Sequence, residues 1–500
     1  MTDLHLPLDR AAGRLSAQIA AGFRAAVRSG RLTAGTRLPS SRDLARDMDV
    51  SRGVVVAAYE QLTAEGFLVA RRGDGTRIAP LARPDAGGPA LSYPMPSDPE
   101  DGPFRGAWGV VPPQGTGPFH RGGEPFPCAA ADDAHDYDLS PGNPDLSGFP
   151  RDRWLAAARA ALRTLPHDAL TYPDPAGVPA LRAELAGYLC RVRAAHADPG
   201  RVVIMNGVAH GLSALAGLLG ADGHTTLAVE DPTSVRQLPM LEAAGVRTVR
   251  IPVDGEGLSV EALARSGARA VLVTPAHQYP TGVVLSPSRR AELIAWARTV
   301  DGVVIEDDYD AEFRYDREPV GCLQGVDPDR VVLLGSVSKS LAPALRLGWA
   351  VAPPDLAARL RAHRGRTDLG APVLEQHALA EFLRGGAYDR HLRTMRRRYR
   401  TRRDTLAAAI RENIPGAVVH GVSAGIHLYV ELPRGCDEDR VVDAAARAGV
   451  SVAGARPMRS TGRADAAAPA LVLGYARLGE ARLVKAAELL GQAIAPDARG

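Results

Sequence analysis

Lysine is almost missing from this 500-residue chain: of its 60 basic residues, only Lys339 and Lys485 are not arginine. Where the chain needs only positive charge it uses guanidinium, so each lysine that remains calls for a reason of its own. Cysteine is scarce as well. The four residues Cys128, Cys190, Cys322 and Cys436 lie far apart, with no CxxC spacing and no local His cluster, which excludes a zinc-finger pattern and a disulfide framework. No apolar run reaches the length a membrane-spanning helix requires, and the N-terminus carries charges where a secretory signal places its apolar stretch. These absences predict a cytoplasmic protein with no metal centre and no membrane partner.

What is present is a globular composition, 45% hydrophobic and 23% charged, on a chain too long for one hydrophobic core. The net charge of +3 excludes a nucleic-acid coat over the whole surface. Its distribution points elsewhere: residues 1–80 hold 12 arginines against 8 acidic residues, an excess larger than that of the full chain.

Residues 9–29 place Leu15, Ile19, Phe23, Ala26 and Val27 at helical spacing and predict a first helix. Ser40 followed by Asp43 is a capping pair that opens a second helix, running to about Asp47. After the turn at MDV, Ser51 is the expected N-cap of a third helix, stopped by Gly66. Two short helices around a tight turn make a helix-turn-helix. FLVAR and TRIA, joined by RGDG, read as a hairpin wing. From 81 to 135 the chain turns to Pro, Gly and Asp without periodicity, a semi-extended linker. Beyond it, strand-like runs (RVVIM, TTLAVE, AVLVTP, GVVIE, VVLLGS, GWAVAP) alternate with amphipathic helices, which predicts an α/β domain over 136–500 with a mostly parallel sheet.

Two stretches carry chemistry. In GSVSKSLAPALRLGWA, Lys339 offers the primary amine that arginine cannot supply, with Ser336, Ser338 and Arg346 nearby to hold a phosphate. In IEDDYDAEFRY, Asp307 falls at a strand end, where a carboxylate keeps a pyridine nitrogen protonated. Both patterns suit pyridoxal phosphate. An acidic run at a loop start is commonly just solvated, and only the lysine motif argues otherwise for Asp307.

The segment LPSSRDLARDMDVSRGVVVAAYEQLTAEGFLVARRGDGTRIA is similar to the winged helix-turn-helix of the GntR family. The stretches TPAHQYPTG and YPDPAGVPALRAEL, with the lysine motif, resemble fold-type I aminotransferases, and specifically the effector domain of MocR/GabR regulators. The fold class so implied is multidomain: a winged helix-turn-helix over 1–80 plus an α/β, PLP-dependent, aminotransferase-like domain.

That resemblance implies double-stranded operator DNA as a partner, met by Ser41, Arg42, Ser51, Arg52 and Gly53, with Arg71, Arg72 and Gly73 of the wing in the adjacent minor groove. It implies that Tyr309 bonds the cofactor's ring hydroxyl, that the Gly207 turn presents N–H groups to its phosphate, and that Tyr172 reaches the site of a homodimeric partner. Several positions depart from the family pattern. Val208 and Ala209 replace side-chain donors of the phosphate turn, Ser234 stands where Tyr is common, Tyr279 replaces an Asn, and Val472 falls where an arginine grips an α-carboxylate. The expectation is therefore a regulator that senses an amine, an amino acid or a PLP-related ligand with weak or absent turnover. The rivals are a working aminotransferase with an accessory DNA-binding head, and a regulator whose second domain no longer holds the cofactor.

Overall fold

The computed structural model describes residues 8–10, 15–71, 75–79, 136–315, 320–464 and 467–494. The expected linker lies outside them, as do Arg72 and Gly73 of the wing.

The head is three helices and a hairpin: α1 (Leu15–Arg28), α2 (Ser41–Asp47), α3 (Arg52–Ala64), β1 (Leu68–Arg71) and β2 (Gly75–Ile78). Of the stretch 9–29 that the periodicity predicts, Leu15–Arg28 are helical, Asp9, Arg10 and Ser29 are not, and 11–14 lie outside the described residues. Ser40 Oγ accepts the Asp43 amide at 3.2 Å, so the capping pair does form. Ser51 is the N-cap of α3 in an extended conformation, as expected, but its side chain makes no cap bond. Gly66 ends the helix with a φ of +84°, a value that costs residues with a Cβ. Ile19, Phe23, Val55, Leu62, Phe67 and Ile78 close a small core between helices and wing.

After the short strand β3 (Tyr137–Asp138), the larger domain is built on eight strands. These are β4 (Val202–Met205), β5 (Thr226–Asp231), β6 (Arg247–Asp254), β7 (Gly257–Leu258), β8 (Ala270–Val273), β9 (Val303–Asp308), β10 (Val331–Ser336) and β11 (Gly348–Val351). Their order across the sheet is β4-β11-β10-β9-β8-β5-β6-β7. The run β10-β9-β8-β5-β6 is parallel, while β11 pairs antiparallel with both its neighbours. Six of these strands are the apolar runs legible in the sequence. The strand Arg247–Asp254 is a seventh that its mixed polarity conceals.

Strand alternation decides what each face holds. Leu227, Val229, Leu272, Val303 and Ile305 point into one core, packed against the helix Val208–Ala221. Ala228, Val271, Val273 and Val304 point into the other, where the helix Pro287–Thr299 lies with Leu293, Ile294 and Trp296. A four-stranded antiparallel sheet (Val418–His420, His427–Glu431, Ala470–Gly474, Ala453–Gly454) and the 27-residue helix Ala387–Asn413 complete the domain. Among the described residues no helix is long and apolar enough to cross a membrane.

Candidate cofactor and DNA sites

In parallel α/β sheets the loops beyond the carboxyl ends of the strands form the binding crevice. Here that crevice is a pocket of about 570 Å³. Thr233, Ser234, Arg236 and Gln237 after β5, Thr274 after β8, Asp307 and Tyr309 at β9, Ser336 at the end of β10, and Ser338 and Lys339 after it all line it.

The Lys339 ammonium donates to the carbonyl of Gly142. Burial lowers its pKa and the neighbouring Arg236 lowers it further, against the opposite pull of Asp307 and Asp310. Both main effects raise the share of free, nucleophilic amine. On β9, burial pushes the Asp307 carboxyl up to about 7, opposed by a hydrogen bond from Gln237 and by the charge of Lys339. Gln237 Nε2 donates to Asp307 Oδ2 at 3.0 Å, while Oδ1 is buried without a hydrogen-bond partner. A buried acceptor left open is what a protonated ring nitrogen needs.

Gly207 turns the chain into the 14-residue helix Val208–Ala221 with a φ of +85°. A Cβ there would stand 2.9 Å from Arg346 Nη2, so only glycine lets the guanidinium lie over the helix start. Arg346 is itself left-handed, at φ +48°, and donates to the Asn206 carbonyl at 2.6 Å. Guanidinium and helix N-terminus together form a cradle for an anion. Val208 and Ala209 line the pocket beside it and add no donor, while Ser336 Oγ accepts the Ser338 amide at 3.3 Å. The amine, the open carboxylate oxygen and the anion cradle together fit pyridoxal phosphate.

Tyr309 also lines the pocket, and its hydroxyl donates to the His277 carbonyl at 2.9 Å and lies 3.1 Å from His277 Nδ1. That nitrogen is 2.9 Å from Asp310 Oδ2. His427 stacks at 5.0 Å from the His277 ring, and burial brings its pKa down to about 4. The His277, Asp310 and His427 donor atoms lie within 4.8 Å of one another. The Gly425 backbone covers them closely, since a Cβ there would fall 2.2 Å from His277 Cε1. Sequence reasoning quoted TPAHQYPTG without singling out His277, and it missed Arg236, Gln237 and His427 altogether. Arg236 and Gln237 lie two and three residues beyond Ser234 but carry no local pattern that marks them.

Tyr172, expected at a cofactor site, is not brought into this pocket and is 80% exposed. Arg477, three residues beyond the strand that holds Val472, is ion-paired with Asp138. Val472 is buried against Met458, with Tyr279 packed alongside, and brings no charge. In the head, Arg42, Arg52 and Gly53 are exposed, and Arg52 Nε donates to Ser41 Oγ at 3.4 Å across the turn between α2 and α3. This brings Ser41, Arg42, Ser51 and Arg52 together at one end of the helix pair. Arg71 closes the wing's first strand opposite Gly75.

Residues 15–78 match the family described as bacterial regulatory proteins, gntR family, and residues 135–463 match aminotransferase class I and II. The chain is 34% identical over 441 residues to the HTH-type pyridoxine biosynthesis transcriptional regulator PdxR of Corynebacterium glutamicum, covering 87% of this chain and 86% of that protein. It is 32% identical to the probable rhizopine catabolism regulatory protein MocR of Rhizobium meliloti, covering 89% and 87%. Among solved structures it resembles the kynurenine aminotransferase of Pyrococcus horikoshii in complex with PMP, with a TM-score of 0.66 and 25% identity over 73% of this chain and 91% of that one.

Proposed function

The chain belongs to the MocR-type transcriptional regulators, which join a GntR-family head to an aminotransferase-like domain, and from that premise we propose that an amine or amino acid reaching Lys339 controls its hold on DNA. In this reading residues 1–80 are the head, 81–135 the spacer and 136–500 the effector domain. A cytoplasmic location follows from its DNA partner.

Pyridoxal phosphate, the cofactor of this fold, supplies an aldehyde with which amines condense and a ring that withdraws electrons. The protein supplies the rest. Lys339 offers an amine whose pKa burial and Arg236 lower, Asp307 holds the proton on the ring nitrogen, and Arg346 with the helix start at Gly207 neutralises the phosphate. The observation that carries the reading is the convergence of these groups on one pocket with Asp307 Oδ1 left open. Arg236 in the same wall favours a ligand with an anionic group beside its amine. The exposure of Tyr172 supports a homodimer in which this ring meets the partner's site.

The test measures affinity for DNA fragments that the protein retains from its genome, with pyridoxal phosphate bound, as a panel of amines and amino acids is added. At least one of them should change the affinity in parallel with the absorbance of the bound cofactor. A constant affinity through a full spectral change would overturn the proposal.

A further inference from the structure

Glu65, at the C-terminal end of α3, is only 1% exposed. Arg24 grips both of its carboxylate oxygens at 2.7 Å, and Gln61 adds a bond at 3.1 Å. Directly beneath lies Gly321 of the larger domain. A Cβ built on Gly321 would stand 2.8 Å from Glu65 Cδ and 3.0 Å from Oε1, so the bare backbone is what lets the carboxylate settle there. Val326, a few residues on, packs against the head core and against the core beside the helix Pro287–Thr299. The segment Val320–Val326 is thus a ledge on which the end of the recognition helix rests.

The ledge is tied to the strand that carries Asp307. Arg193 takes both Asp308 oxygens, at 2.7 and 3.0 Å, and donates to the Val320 carbonyl at 2.5 Å. The Gln324 amide donates to Glu306 Oε2 at 3.1 Å, and Arg290 Nη1 donates to the Gly321 carbonyl at 2.9 Å. Glu306, Asp307 and Asp308 are consecutive in β9, so side-chain alternation sends Asp307 to the pocket and its two neighbours to the opposite face. Arg290 Nη2 and Glu306 Oε1 are buried there without hydrogen-bond partners. A buried network with both an open donor and an open acceptor can change its pairing over a small shift.

We propose that the Val320–Val326 ledge is the docking surface for the head, and that Glu306 and Asp308 act as positioning residues which move the ledge when the charge facing Asp307 changes. The inference rests on the reading that the cofactor's ring sits at Asp307. With a rise of about 1.5 Å per residue, α3 spans roughly 20 Å from Glu65 to the DNA-facing Arg52, so a tilt at its seated end displaces the other. No wire through the head is needed, because one rigid helix touches both the ledge and the DNA.

The experiment is amide hydrogen exchange on the full chain, with and without pyridoxal phosphate, in the natural protein and in Gly321→Ala. Loading should change exchange both at 320–326 and at the α3 end, residues 62–67. In Gly321→Ala the ledge should still respond while residues 62–67 do not, and the cofactor-dependent change in DNA affinity should fall to within twofold of none. Glu65→Gln, which keeps size and removes charge, provides the second variant and should give the same uncoupling. A yellow, loaded protein whose residues 62–67 never respond, or variants that stay fully coupled, would overturn the ledge proposal alone. A protein that never becomes yellow would overturn the cofactor reading and the coupling with it.

Discussion

Gln237 holds one oxygen of Asp307 at 3.0 Å and leaves the other open to the pocket. The arrangement has a consequence for stability. Burial raises the Asp307 carboxyl to about 7 and raises Glu306, Glu230 and Glu312 to about the same value. These groups bind protons more tightly folded than unfolded. Stability from them is complete below the unfolded range near pH 4 and is lost as pH rises through about 7. Buried histidines such as His427 shift the opposite way and add stability as pH rises. It is therefore the carboxyl part of the pH dependence that should lower the melting temperature of the cofactor-free protein between pH 6 and pH 8. With pyridoxal phosphate bound, a ring proton facing Asp307 favours the ionised carboxylate and the drop should shrink. Asp307→Asn should reduce the drop in the cofactor-free protein and bind the cofactor more weakly. Melting curves at the two pH values, loaded and unloaded, check all of this. An equal drop in all three samples would refute it.

The two lysines differ in a way that predicts which one binds. Lys485 is exposed and pairs with Glu488 at 2.9 Å, which raises its pKa and keeps it charged. Lys339 is half-buried near Arg236 and shifted the opposite way. Borohydride reduction of the loaded protein should mark Lys339 and leave Lys485 free, and Lys339→Ala should abolish the stable yellow colour. Peptide mapping decides, and label on Lys485 would sink the assignment.

On the DNA side, Arg42 and Arg52 are exposed at one end of the α2–α3 pair. Loss of one phosphate contact lowers the slope of log affinity against log salt by about one unit. Arg42→Ala should show this change. Arg52→Ala should weaken binding further and relax base preference, at roughly 1–3 kcal/mol for a base contact. Salt titrations of both variants provide the check, and unchanged affinity in both would mean that this end of the helices does not face DNA.

Much of this was legible because strands buried on both faces write themselves as apolar runs, and Val331–Ser336 and Val303–Asp308 read directly. The lysine stood out because the chain otherwise avoids lysine. Arg247–Asp254 did not, since it lies toward one side of the sheet and its outer positions carry charge. Arg236 and Gln237 were hidden for another reason. Their importance comes from where the β5 loop folds back toward Asp307, a tertiary fact with no local pattern. The ledge is equally silent in sequence, because Gly321 matters only once Glu65 is laid against it.

The last prediction concerns turnover. Proton transfer at the substrate's Cα requires the carboxylate to be fixed so that this bond stands across the ring plane, with Lys339 placed to move the proton. Val472 is an apolar wall and Arg477 is committed to Asp138, so neither grips a carboxylate. Arg236 lines the pocket close enough to depress the Lys339 pKa, which makes it the available cation, but it rises from the β5 loop rather than from the strand that holds Val472. A carboxylate drawn to Arg236 is bound without being held in the orientation that proton transfer needs. Amino acids should therefore shift the cofactor's spectrum while single-turnover conversion stays well below about 1 per second, the lower end of ordinary enzyme rates. Arg236→Gln should weaken that binding severalfold for acidic or zwitterionic ligands and much less for simple amines. It should also move the pH dependence of the bound cofactor's colour upward, because a charge that opposes protonation of Lys339 is gone. Stopped-flow spectra of both proteins across pH measure the two effects together. Fast conversion of a common α-amino acid by the natural protein would overturn the prediction and make the chain a working aminotransferase.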